Sequence, residues 1–169
     1  MNDRLVEDYR DVITSMILNN KTITDILMCG KEDKTDVDSL LWKNLVPQKY
    51  VPETLVDAET HIMYDLDEDV IYARDSSRGT YVTVILYIWV WTHKNAPTCD
   101  GRLKNDIVTY ELKRMLTGNK QLGIAPAKLI YDRHDLPDIK EYAGRLLVFN
   151  VTDWGENIRA KYEKYSKQH

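Results

Sequence analysis

Residues 81–91 read YVTVILYIWVW, and the two sets of side chains that a strand would separate differ in kind. Val82, Val84, Leu86, Ile88 and Val90 fall on one face, and Tyr81, Thr83, Ile85, Tyr87, Trp89 and Trp91 on the other. At about 3.3 Å per residue the strand spans roughly 35 Å, long beside the usual five or six residues. The aliphatic face suits packing under helices. The aromatic face is too apolar to stand in water along its whole length, so something must cover it.

Helical periodicity dominates the chain before this strand. Leu5, Val6, Tyr9, Val12, Ile13, Met16 and Ile17 share one helical face, with Asp3 placed to cap the helix and Asn19-Asn20 to end it. Thr22 opens a second short helix, TITDILMC, with a loose capping box to Asp25, and Gly30 stops it. Asp38 is placed to cap a third, SLLWKNL, which must end before Pro47. Residues 47–60 lack a clear period and read as an extended connection. HIMYDL and DVIYA read as strands, and RDSSRG as a turn cluster.

Beyond the long strand, THKNAPTCDGR is a loop in which Asp100 is placed to cap the next helix. That helix carries Leu103, Ile107, Val108, Leu112, Met115 and Leu116 on one side, and Gly118 suits the left-handed position after its end. AKLIYDR and GRLLVFNVTDW read as two final strands. The order predicts an α+β fold: an antiparallel sheet of about four to five strands with helices packed on one face, plus N-terminal helices. We expect a single domain over 1–154, with a helical part over 1–46 and a sheet-and-helix core over about 60–153. GENIRAKYEKYSKQH, residues 155–169, is a charged tail, either a frayed helix or disordered.

Composition narrows the function classes. A formal net charge of −4 is unsuited to wrapping nucleic acid through phosphate contacts. No run reaches the ~18 apolar residues of a membrane span. The N-terminal MNDRLVEDYRDV lacks the apolar centre of a signal peptide, so the protein is expected in the cytoplasm or assembled there. Cys29 and Cys99 are too few for a disulfide scaffold and are not spaced for zinc, which fits a reducing compartment.

Candidate chemistry is sparse. DLDED, from Asp65 to Asp69, opens like a calcium loop, but Val70 and Ser76 stand where the loop needs glycine and glutamate. From Asp57 to Asp69 there are six carboxylates and no Lys or Arg, either a solvated face or a negative surface past which DNA slides. Glu111-Leu112-Lys113 has the Glu-x-Lys form of metal-dependent nucleases, but the pair lies on a helix and diverges around it. The four histidines, including His93 in a loop with Cys99, are dispersed. There is no nucleophile elbow and no phosphate-binding glycine loop. Neither a cofactor nor a resident metal is expected.

The end of the long strand, YIWVWTHK, followed by a loop and the helix GRLKNDIVTYELKRML, resembles the tail completion or tail terminator proteins of long-tailed phages, part of the head–tail joining group. The likeness covers roughly residues 60–153. The stretch before Val56 and the tail after Trp154 are longer than the family minimum. The resemblance implies a virion component without catalysis, built into a homo-oligomeric ring, commonly a hexamer, in the tail or neck. It would touch head connector or adaptor proteins on one side and tail tube or sheath proteins on the other. DNA would pass without sequence-specific binding, and no membrane is involved. On this reading Tyr87, Trp89, Trp91, His93 and Arg78 lie at a subunit or partner contact, and Asp65, Asp67, Glu68 and Asp69 face the channel. Two alternatives stand beside it: a small metal-dependent nuclease using Asp65, Asp67, Glu111 and Lys113, and a non-catalytic bacterial adaptor.

Overall fold

A computed structural model describes residues 3–31, 36–48, 59–67, 73–75, 79–123, 125–135 and 140–154. Helices α1 (Asp3–Leu18) and α2 (Lys21–Leu27) come first, then a 3-10 turn over Asp38–Leu40. Strands β1 (Leu45–Val46), β2 (Thr60–Asp67), β3 (Ala73–Asp75) and β4 (Gly79–His93) follow, then a small hairpin of β5 (Thr98–Cys99) and β6 (Arg102–Leu103). Helix α3 (Lys104–Leu116) and strands β7 (Lys128–Asp135) and β8 (Tyr142–Trp154) complete the described chain.

The main sheet runs β1-β2-β4-β8-β7, and β3 pairs with β4 beyond the end of β2. The architecture is the expected α+β class. Every pairing in this sheet is antiparallel except that of β1, which lies parallel to β2 with Leu45 opposite Ile62. The long strand is longer than its apolar run suggests. It spans 15 residues and pairs with β8 from Tyr81–Trp154 to His93–Tyr142.

Alternate residues of β4 from 84 to 90 contribute to the main core. Val84, Leu86, Ile88 and Val90 pack with Ile62, Tyr64 and Leu66 of β2 and with Leu147, Phe149 and Val151 of β8. Helices cover this face with Tyr9, Ile13 and Ile17 of α1, Ile23, Ile26 and Leu27 of α2, and Val108, Leu112 and Leu116 of α3. The phenol of Tyr64 reaches the helix layer, donating to the Arg10 carbonyl at 2.8 Å and meeting the Thr14 hydroxyl at 2.6 Å. Burial pushes its pKa up to about 12. An ion-pair network also joins the layers: Asp132 of β7 accepts from Lys113 of α3 at 2.7 Å and from Arg145 of β8 at 2.5 Å.

Four local expectations are corrected. Asp100 does not cap α3; it has φ 51 and Gly101 φ 76, the left-handed pair that closes the two-residue turn between β5 and β6. The position before α3 is Leu103, with no side-chain cap bond. The third helix is only a 3-10 turn, and Asp36, not Asp38, accepts from the backbone N–H of Ser39. Asn20, not Thr22, caps α2, its Oδ1 accepting from Ile23 N–H at 3.1 Å. Finally, Cys29 and Cys99 are paired as a disulfide with Cα atoms 6.3 Å apart. Cysteine usage therefore gives no argument for a reducing compartment. It staples the end of α2 to the β5–β6 hairpin.

Candidate interface on the second sheet face

Ile85, Tyr87, Trp89 and Trp91 of β4 pack in a cluster separate from the helix-covered core. Their neighbours are set by register: Trp91 lies opposite His61 and Gly144, Trp89 opposite Met63 and Leu146, Tyr87 opposite Asp65 and Val148. Alternation along β2 and β8 thus delivers Met63, Tyr142, Leu146 and Val148 to the same side, and Val46 joins them from β1. These residues form a second, smaller core with Trp89 and Trp91.

This packing corrects the premise that the tryptophans need another chain. Trp89 is 9% and Trp91 5% exposed within their own subunit. The Trp91 indole N–H donates to Asp135 Oδ2 at 2.7 Å, so its polar edge is satisfied as well as its rings. Gly144 opposite it leaves the room, since a Cβ there would stand 2.7 Å from Trp91 Cδ1. Two half-buried apolar residues, Tyr87 and Ile85, pack at the margin of the cluster. Tyr87 stacks on Trp89 with ring centroids 5.8 Å apart and planes 15° from parallel.

The structure brings two predicted groups of site residues together. An open groove of about 420 Å³ is lined by Asp65, Leu66, Asp67, Tyr87 and Trp89. Its acidic side is less negative than the sequence suggests. Arg10 of α1 pairs with Asp65 at 2.8 Å, leaving Asp67 as the exposed carboxylate of the described strand. Glu68, Asp69 and Arg78 lie outside the described residues. His93 lies apart from this groove, at the far end of β4, edge-on to Tyr142 at 5.0 Å. Its Nδ1 accepts from Asn95 N–H at 3.1 Å, a turn-forming role.

The candidate nuclease set is not gathered. Glu111 pairs with Arg114 at 2.7 Å and Lys113 with Asp132 at 2.7 Å, while Asp65 pairs with Arg10 across the molecule. Among the described residues no group of three or more His, Cys, Asp or Glu is placed to hold a metal ion.

Residues 14–151 match the YomW family. The chain belongs to the YomW family. No curated protein matches the sequence. Among solved structures, a chain from the virion of a native gene transfer agent particle shares the fold with a TM-score of 0.55. That alignment covers 85% of this chain and 92% of the other, at 13% identity. The YomW match runs from within α1 to Val151 of β8, so the groove and the second core lie inside the family region.

Sequence reasoning missed Asp135 and Gly144, the two residues that seat Trp91. The only signal was indirect: a glycine two residues into a strand otherwise built of bulky side chains marks a close approach.

Proposed function

We propose that this YomW-family chain is a non-catalytic structural component of a phage virion, in the neck. On this reading it forms a ring between head connector and tail tube, terminates the tail and lets DNA through. The observation that carries the reading is the end-to-end likeness to a virion chain, 92% of which is matched by this fold. The phage origin of the family supports it. So does the groove beside Tyr87 and Asp67, an amphipathic surface on an otherwise well-satisfied sheet face. A closed ring would also engage the outer edge of β7, where Ile130 and Tyr131 are 41% and 62% exposed.

Deleting the gene from the phage or prophage that carries it tests the role. DNA-filled heads and separate tails, rejoined when the gene is supplied in trans, are expected. Normal yields of intact, infectious particles would overturn the proposal.

A further inference from the structure

Residues 40–45 make a tight turn that carries Trp42 into solvent. The Trp42 backbone N–H donates to the Leu45 carbonyl at 2.8 Å, and the Asn44 N–H to the Leu40 carbonyl at 2.8 Å. The turn is bolted to the sheet. Leu40, Asn44 and Leu45 are fully buried, the Asn44 amide donates to the Thr60 carbonyl at 3.0 Å, and the Asn44 carbonyl accepts from Ile62 N–H at 2.7 Å. On this fixed frame Trp42 has φ 64 and is 63% exposed. Both features cost stability: a bulky residue is strained in the left-handed region, and an exposed indole leaves a large apolar surface in water. Backbone strain persists where the surroundings hold a side chain in a set place for a contact. Tryptophan is also enriched among the anchors of protein interfaces, and a rigid turn orders it before the partner arrives.

The position of Trp42 in the sheet indicates what it meets. Its turn leads into β1, one edge of the order β1-β2-β4-β8-β7. At the other edge, β7 carries two more of the large hydrophobic side chains exposed among the described residues, Ile130 and Tyr131. Four strand spacings of about 4.8 Å put ~19 Å between the two edges, beyond the reach of one side chain. A copy therefore cannot bring its own Trp42 to its own β7. Two copies side by side can, and one such contact repeated head to tail is what a closed ring of identical subunits requires. The chemistry of the β7 edge suits an indole. Tyr131 and Arg133 pair with Val148 and Leu146 of the second core, so they share one sheet face, and both are exposed. A phenol ring and a guanidinium side by side offer stacking and cation–π contact to the indole.

We infer that Trp42 of one copy docks on Ile130, Tyr131 and Arg133 at the β7 edge of the next. This contact rests on the ring proposed above and supplies its two surfaces. It is tested in particles of the phage or prophage that encodes the chain, with the photoreactive p-benzoylphenylalanine placed at position 42 and ultraviolet irradiation. Cross-links from position 42 to residues 128–135 of a second copy are expected. Cross-links to another protein, to other parts of this chain, or none in particles that contain it, would overturn the contact. The two readings fail separately. The β7 cross-link in particles that carry the chain outside the neck would sink the neck role and keep the contact, and a neck ring cross-linked elsewhere would do the reverse. Sedimentation of the purified chain is the second arm. Trp42→Gly and Tyr131→Ser should each weaken self-association at least about tenfold, as the loss of an aromatic anchor does. Because glycine takes φ 64 without strain, Trp42→Gly should melt no lower than the wild type, so its defect is not one of folding. Mixed together, the two variants should form dimers and nothing larger, since each keeps one working surface. Self-association unchanged in both variants would also overturn the contact.

Discussion

Reducing the Cys29–Cys99 bond should destabilise the subunit measurably. The two residues are 70 apart in sequence, so the bond closes a long loop that holds the 3-10 turn, β1 through β4 and the start of the hairpin. The chain-entropy relation gives about 4 kcal/mol for a loop of that size, as an upper figure. For a domain of this length that corresponds to a fall of roughly 10 °C in melting temperature. The assay is thermal unfolding of the oxidised protein with and without dithiothreitol, beside a Cys29→Ser, Cys99→Ser double variant. Both cysteines are partly exposed, so reductant has access. The reduced wild type and the double variant should melt together, well below the oxidised form, and reductant should leave the double variant unmoved. Hydrogen exchange should quicken first across residues 96–104, where the hairpin loses its tie to α2. Two titratable thiols per chain in protein purified without reductant, with identical melting in both conditions, would refute the reasoning.

Other expectations follow from the second core and the ion-pair network. Gly144→Ala should cost about 1–3 kcal/mol in denaturant unfolding, because the added methyl would collide with Trp91 and sit 3.1 Å from the Asp135 carbonyl. Trp91→Ala should cost about 3–5 kcal/mol in the isolated subunit, whereas Tyr87→Ala, at the half-buried margin, should cost less and instead weaken ring assembly in sedimentation. Burial raises the pKa of Asp132, but its hydrogen bonds to Lys113 and Arg145 win and hold it below the ordinary 3.8. A depressed acid stabilises the fold above its unfolded pKa, and that stabilisation is lost as pH falls through the folded value. The stability gap between wild type and Asp132→Asn, read by urea unfolding, should therefore be full at neutral pH and narrow below about pH 4.

Much of this fold was legible because β4 carries its own instructions. The period-2 alternation of 81–91 separated an aliphatic from an aromatic face, and the packing keeps that division, helices on one side and the small aromatic core on the other. The helical periods likewise located Tyr9, Ile13 and Ile17 of α1 and Val108, Leu112 and Leu116 of α3, whereas Leu103, assigned to the same face, precedes α3 and is 52% exposed. What covers Trp89 and Trp91 was not legible, since it depends on register with β8, more than fifty residues away, and on the parallel addition of β1. Asp100 was misread because Asp-Gly before a helical pattern satisfies two rules at once, a cap and a tight turn, and only the backbone decides. The disulfide was hidden by its 70-residue separation. Among the candidate site residues, the alternation correctly grouped Tyr87 with Trp89, but nothing in it showed that Arg10 neutralises Asp65.

The most direct test of the neck assignment is cryo-electron microscopy of particles from the phage or prophage that encodes this chain. The account predicts density for this fold as a closed ring at the joint between head connector and tail tube, with Tyr87 and the β7 edge against neighbouring subunits. Density for it in the capsid shell or tail fibres, or its absence from mature particles, would contradict the account.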